Sequence, residues 1–138
     1  MAAKVFMLIC AALFFIIGAS HLILTFFTRK LAPLDPALRA RMGEVPLVLI
    51  RRTDIWHCWV GFNASHSIAL MLFGLIYGFL AAAHGELLFN SPFLLIVGLA
   101  MIAAIFALGT TYWFRHPPYI FIGLPLASYV ASIALSLA

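Results

Sequence analysis

At 138 residues the chain has room for one hydrophobic core and no second domain. With 66% apolar and only 9% charged residues it has too few charges to cover a water-soluble fold, which excludes the soluble globular class. The net charge of +4 does not call for nucleic acid, because six of the eight cations (Arg29, Lys30, Arg39, Arg41, Arg51 and Arg52) stand in one connecting segment, where they read as a topology signal.

The first apolar run covers residues 5–27, interrupted only by Ser20, His21 and Thr25. At ~1.5 Å per residue it spans a hydrocarbon core of ~30 Å. Lys4 and the small residues Gly18, Ala19 and Ser20 imitate a signal peptide, but the apolar stretch continues past them, so an uncleaved helix is expected. Residues 28–53 form the longest polar connection. Within it Asp35 reads as an N-cap and Pro36 as the first helical position, predicting a short interfacial helix over 36–42, ended by Gly43 and Pro46.

The second run, 55–83, is longer than a perpendicular crossing requires, so it has to tilt or project into water. A turn through His84–Glu86 and Asn90–Pro92 leads to a third run, 93–113. The loop of Arg115, His116, Pro117 and Pro118 stops that helix, and a fourth run covers 119–137 with Pro125 inside it as a kink site. The expected class is therefore an all-α, polytopic integral membrane four-helix bundle forming a single domain. Both termini fall on one side and the basic 28–53 segment on the other. The positive-inside rule makes the basic side cytoplasmic and the termini external, and a bacterial inner membrane is the expected location. Gly74 and Gly78 at GxxxG spacing, with Gly98, Ala103, Ala107 and Gly109, allow close backbone approach, either within the chain or between copies in a homo-oligomer.

Ionisable groups at membrane depth cost ~2.5 to 3.5 kcal/mol each and face a bundle interior or cavity. At 100° per residue Arg52, Trp56, Trp59, Asn63, His66 and Ser67 share one face of the second helix, while Asp54 and His57 point elsewhere. Counting from Asp54, Asn63 lies about 13 Å deep and His66 about 18 Å; His21 lies about 9 Å from the basic end of the first helix. Thr110, Thr111 and Tyr112, with Arg115 beyond them, close the third helix on the same side. These groups predict a polar pocket in the basic-side half, with His21 meeting Asn63, Ser67 and Tyr112. The plainer readings are that Asn63 and His66 only fix helix register, that Trp56, Trp59, Trp113 and Tyr119 form an interfacial belt, that Arg51, Arg52 and Arg115 set topology, and that Ser128, Ser132 and Ser136 form a packing seam.

Metal has no support in spacing, since neither HExxH nor an i, i+4 histidine pair occurs. A bis-His haem on His21 and His66 would need both at one depth, whereas the count separates them by about 9 Å. Cys10 and Cys58 read as small core residues.

The stretch Trp59-Val60-Gly61-Phe62-Asn63-Ala64-Ser65-His66 resembles the second-helix Arg-x-x-x-Asn-x-x-Glu of the MAPEG family, the membrane-associated proteins of eicosanoid and glutathione metabolism. It keeps the Asn, with Trp59 and His66 in place of the charged residues that help hold glutathione there. Leu72 to Leu80 is similar in texture to that family's second helix, and Tyr112 stands where a family tyrosine ends the third. The resemblance implies four transmembrane helices, a cytosolic loop after the first, external termini, and a transferase or isomerase acting on a lipophilic molecule.

Two functions are therefore expected to compete. In the first, the pocket binds a lipophilic small molecule, with His66 or His21 as general acid or base, Asn63, Trp59, Ser67 and Tyr112 as ligand contacts, and Arg52 or Arg115 clamping an anionic group. In the second, the chain is a non-enzymatic accessory subunit or assembly factor of a larger membrane complex. No cofactor is specified by either.

Overall fold

The computed structural model of the protein describes residues 1–113 and 120–138. The chain is 80% helical and has no strand among the described residues. Helix α1 covers Ala2–Phe27, α2 Pro36–Met42, α3 Ile55–Ala83, α4 Gly85–Phe89, α5 Pro92–Leu108 and α6 Gly123–Leu137. A π-helical turn, Gly109–Trp113, prolongs α5. Three of these elements, Ala2–Phe27, Ile55–Ala83 and Pro92–Trp113, are long and apolar enough to cross a membrane, which is the build of an integral membrane protein.

Local chemistry explains the boundaries. Towards the end of α1 the Thr25 and Thr28 hydroxyls donate to the carbonyls of His21 and Leu24, both at 2.8 Å, and the second of these takes up a last-turn acceptor. Asp35 starts α2 by accepting the Ala37 N–H at 2.8 Å, with Pro36 at the first helical position. Asp54 does the same for α3, accepting the His57 N–H at 2.9 Å. Ser91 accepts the Leu94 N–H at the head of α5, followed by Pro92.

The fourth helix carries an interruption near its start. Ile120 and Phe121 are helical, Ile122 interrupts them, and the 15-residue helix Gly123–Leu137 follows, an apolar helix shorter than the three membrane-length ones. Pro125 lies three residues after the interruption at Ile122, where its missing N–H leaves the carbonyl of Phe121 without an i→i−4 donor. Tyr119 lies outside the described residues.

The chain divides into two compact units, one of Met1–Ile17 with Met71–Ala138 and one of Gly18–Leu70. The first is an antiparallel helical cluster closed by small residues and aromatics. A Cβ on Gly74 would lie 2.5 Å from the Ala11 carbonyl oxygen and 2.9 Å from the Phe15 nitrogen, so α3 and α1 touch backbone to backbone there. The small-residue pair thus packs within the chain. A Cβ on Gly98 would collide with the Tyr129 hydroxyl and lie 2.8 Å from the Tyr77 ring. Those rings belong to a core of Phe14, Phe73, Tyr77 and Tyr129, in which Phe73 stacks on Tyr77 at 4.3 Å. Burial of two tyrosines is tolerated because each hydroxyl donates to a carbonyl of α5: Tyr77 to Leu94 at 2.7 Å, Tyr129 to Leu95 at 3.1 Å.

The serines of α6 do form a seam. Ser128 donates to the Phe6 carbonyl at 2.8 Å and Ser132 to the Ala3 carbonyl at 2.7 Å, so α6 runs antiparallel to the start of α1. Lys4, inside α1, donates to the Ala82 carbonyl at 2.8 Å, where the last carbonyls of α3 have no intrahelical donor.

Candidate intramembrane polar site

The second unit holds the polar residues of interest. It contains the end of α1, the whole connecting segment with α2, and the first half of α3. His21 and Asn63 meet across the two helices, with His21 Nε2 3.0 Å from Asn63 Oδ1. The Asn63 Nδ2 donates to the Trp59 carbonyl at 2.7 Å, which fixes the amide orientation: inverted, two oxygens would face each other. His66 completes the group, its ring edge-on to His21 with centroids 5.5 Å apart. Asn63 is 9% exposed and Ser67 fully buried.

The Ser67 hydroxyl faces its own helix, donating to the Asn63 carbonyl at 2.9 Å, so it braces α3 rather than reaching His21. Trp59 is 43% exposed, and its indole N–H donates to the Leu31 carbonyl at 2.9 Å. Among the described residues every buried side-chain nitrogen and oxygen has a partner.

The 9 Å depth difference expected between His21 and His66 is corrected by this contact. The two helices are not in step: Trp59 is level with Leu31, beyond the end of α1, so the first turns of α3 project past α1 and carry His66 back to the level of His21. The depth objection to a bis-His haem falls with it. The contact with Asn63 engages His21 Nε2 and leaves only Nδ1 for any other partner. Among the described residues no group of three or more His, Cys, Asp or Glu is placed to hold a metal.

Arg52 is also corrected. It belongs to an exposed turn before Asp54 rather than to the helical face, because the Asp54 cap starts the helix at Ile55. The cation that does stack on this helix is Arg39 of α2, whose guanidinium carbon lies 3.5 Å from the Trp56 ring centroid. Sequence reasoning missed it, although an arginine on a short amphipathic helix opposite interfacial tryptophans is a usable signal. Tyr112 lies in the other unit, in the π-helical turn, and is 76% exposed. Arg115 lies outside the described residues.

At the mouth of α3, Asp54 and His57 form an exposed pair, with Asp54 Oδ2 2.6 Å from His57 Nδ1. The Asp54 carboxyl is held below the usual carboxylate range, chiefly by the backbone N–H of His57, against a smaller opposing effect of burial and with help from the His57 ring.

Compared with family models, curated proteins and solved structures, the chain matches none.

Proposed function

We propose that the chain is a four-helix integral membrane protein that binds a lipophilic small molecule beside His21, Asn63 and His66. The observation that carries this reading is the contact of two imidazoles and a carboxamide between two helices of membrane length. Such groups are costly among apolar helices and concentrate where a ligand or proton is handled. Because Asn63 holds His21 as a donor at Nε2, the neutral ring keeps its lone pair at Nδ1, giving the site one acceptor of defined position. The fourth crossing is supported by α6, which lies antiparallel to the start of α1 through Ser128 and Ser132.

As an enzyme this would be a transferase or isomerase of the MAPEG type, with His66 or His21 moving a proton. Trp59 and His66 in place of that family's charged residues favour a ligand without glutathione's two carboxylates. Arg115 would meet an anionic end of the ligand. The basic segment would lie on the cytoplasmic side of a bacterial inner membrane, with the termini outside.

The test is mass spectrometry of small molecules retained by the protein in mild detergent, for wild type and His66→Ala, alongside thermal unfolding of both. A retained lipophilic molecule lost in the variant, with little change in unfolding, supports the reading. Binding and stability both unchanged would sink it.

One observation favours a second reading, a non-enzymatic accessory subunit or assembly factor. Asn63 and Ser67 have hydrogen-bond partners inside the chain, as residues that merely fix helix register would. A partner of fixed stoichiometry in the same purification, with no small molecule, selects it; a self-oligomer retaining a lipophilic molecule selects the first.

A further inference from the structure

The connecting segment returns to α3 through a small closed loop. Pro46 and Asp54 form an isolated antiparallel bridge, the Leu47 N–H donates to the Thr53 carbonyl at 3.3 Å, and the Ile55 N–H to the Val45 carbonyl at 3.0 Å. This closure leaves residues 48–52 as an exposed tip. Val48 is 100% exposed, Leu49 90% and Ile50 51%, and Arg51 and Arg52 follow directly. Three consecutive large aliphatic side chains turned outward need an apolar sink. The tip stands only a few residues before Ile55, where a membrane-length helix begins, so the boundary of the hydrocarbon is the sink within reach.

The charge beside the tip selects the kind of surface. Arg51 and Arg52 make no ion pair among the described residues, and the nearby acids are engaged elsewhere. Asp35 accepts from the Ala37 N–H, Glu44 pairs with Arg41 at 3.2 Å, and Asp54 pairs with His57. Two guanidinium groups at the root of an apolar tip match the phosphates of anionic headgroups. We infer that residues 48–52 form a hook for the protein's own leaflet, inserting Val48, Leu49 and Ile50 at the acyl boundary while Arg51 and Arg52 bind anionic phospholipid. The hook is separate from the His21 and Asn63 site and does not depend on what that site binds.

The test uses the full chain with Leu49→Cys in a Cys58→Ser background, spin-labelled at position 49; Cys10 is buried. The protein is reconstituted into vesicles of phosphatidylcholine, or of phosphatidylcholine and phosphatidylglycerol at about 3:1, and collision with oxygen is compared with collision with a water-soluble nickel chelate. The expected result is an oxygen-to-nickel ratio severalfold higher in the anionic vesicles, falling back when Arg51→Gln and Arg52→Gln are added, with helical circular dichroism unchanged throughout. A label as open to nickel in anionic vesicles as in neutral ones overturns the hook. So does immersion equal in both compositions, which removes the anionic selection. Protection seen only in native membranes, and not in anionic vesicles that hold no other protein, assigns the tip to a protein partner and overturns it as well.

Discussion

Asn63 dictates which nitrogen of His21 carries its hydrogen. The Asn63 Nδ2 is held by the Trp59 carbonyl, so its oxygen must face His21, and the imidazole at 3.0 Å has to be the donor. Replacing Asn63 with Leu removes the acceptor and leaves His21 without its partner. Interhelical bonds of this kind are worth about 0.6 to 1.7 kcal/mol in membranes, and Asn63→Leu should lower stability by roughly that much in detergent unfolding. Asn63→Leu in a His21→Leu background should lose less, because the partner is already gone. Equal loss in both would show that the bond to His21 is not what matters at this position.

Gly74 and Gly78 should respond oppositely to alanine. A Cβ at Gly74 meets the backbone of Ala11 and Phe15, which cannot step aside, and overpacking of this type costs about 1 to 3 kcal/mol. At Gly78 the nearest atom is the Ala11 Cβ at 3.4 Å, an ordinary contact, and the gain in helix propensity is up to about 1 kcal/mol. Thermal unfolding of Gly74→Ala and Gly78→Ala in one detergent would distinguish them. Similar losses would mean that the close approach is not centred on Gly74.

Lys4 serves as a cap for another helix. Its ammonium reaches the Ala82 carbonyl at the negative end of α3, an interaction worth about 0.3 to 1 kcal/mol at an exposed site. Lys4→Met should lose that amount, and the loss should shrink in wild type as salt is raised. A salt-independent difference between the two proteins would point to packing of the stem instead.

Acid should loosen the start of α3. The Asp54 carboxyl is depressed in the folded chain, so its stabilising contribution is complete above the ordinary carboxylate range and is lost as pH falls through the folded value. Hydrogen exchange of the His57 amide, which Asp54 caps, should therefore speed up as the pH is lowered below that range, after correction for intrinsic rates. Asp54→Asn, which can still cap but cannot titrate, should flatten this dependence. An unchanged profile in the variant would assign the effect to another group.

Much of the helical layout was legible because it rests on run length and caps. Asp35 with Pro36 marks α2 by the same chemistry that the structure displays, and the apolar runs show where α1, α3 and α5 lie. The approach of His21 to Asn63 was also readable, since neither short side chain can reach water from its depth. Register between helices was not. Periodicity tells which residues share a face, and it carries no information on how far α3 slides past α1; the Trp59 to Leu31 bond sets that offset. The tyrosine pair stayed hidden for a related reason. Tyr77 and Tyr129 look like any aromatics in apolar helices, and only the space opened by Gly98 brings them together.

The bonds from Ser128 to Phe6 and from Ser132 to Ala3 join residues 122 and 129 positions apart. During synthesis α1 emerges first, yet these partners on its opening turns come from the last helix in the sequence. Those contacts have to wait for nearly the whole chain, which is the kind of long closure that slows assembly. Until then the Ala3 and Phe6 carbonyls wait for the hydroxyls that α6 supplies. A chain stopped before Ser128 would never receive those two donors, so its first helix would lack the clasp that its last helix provides.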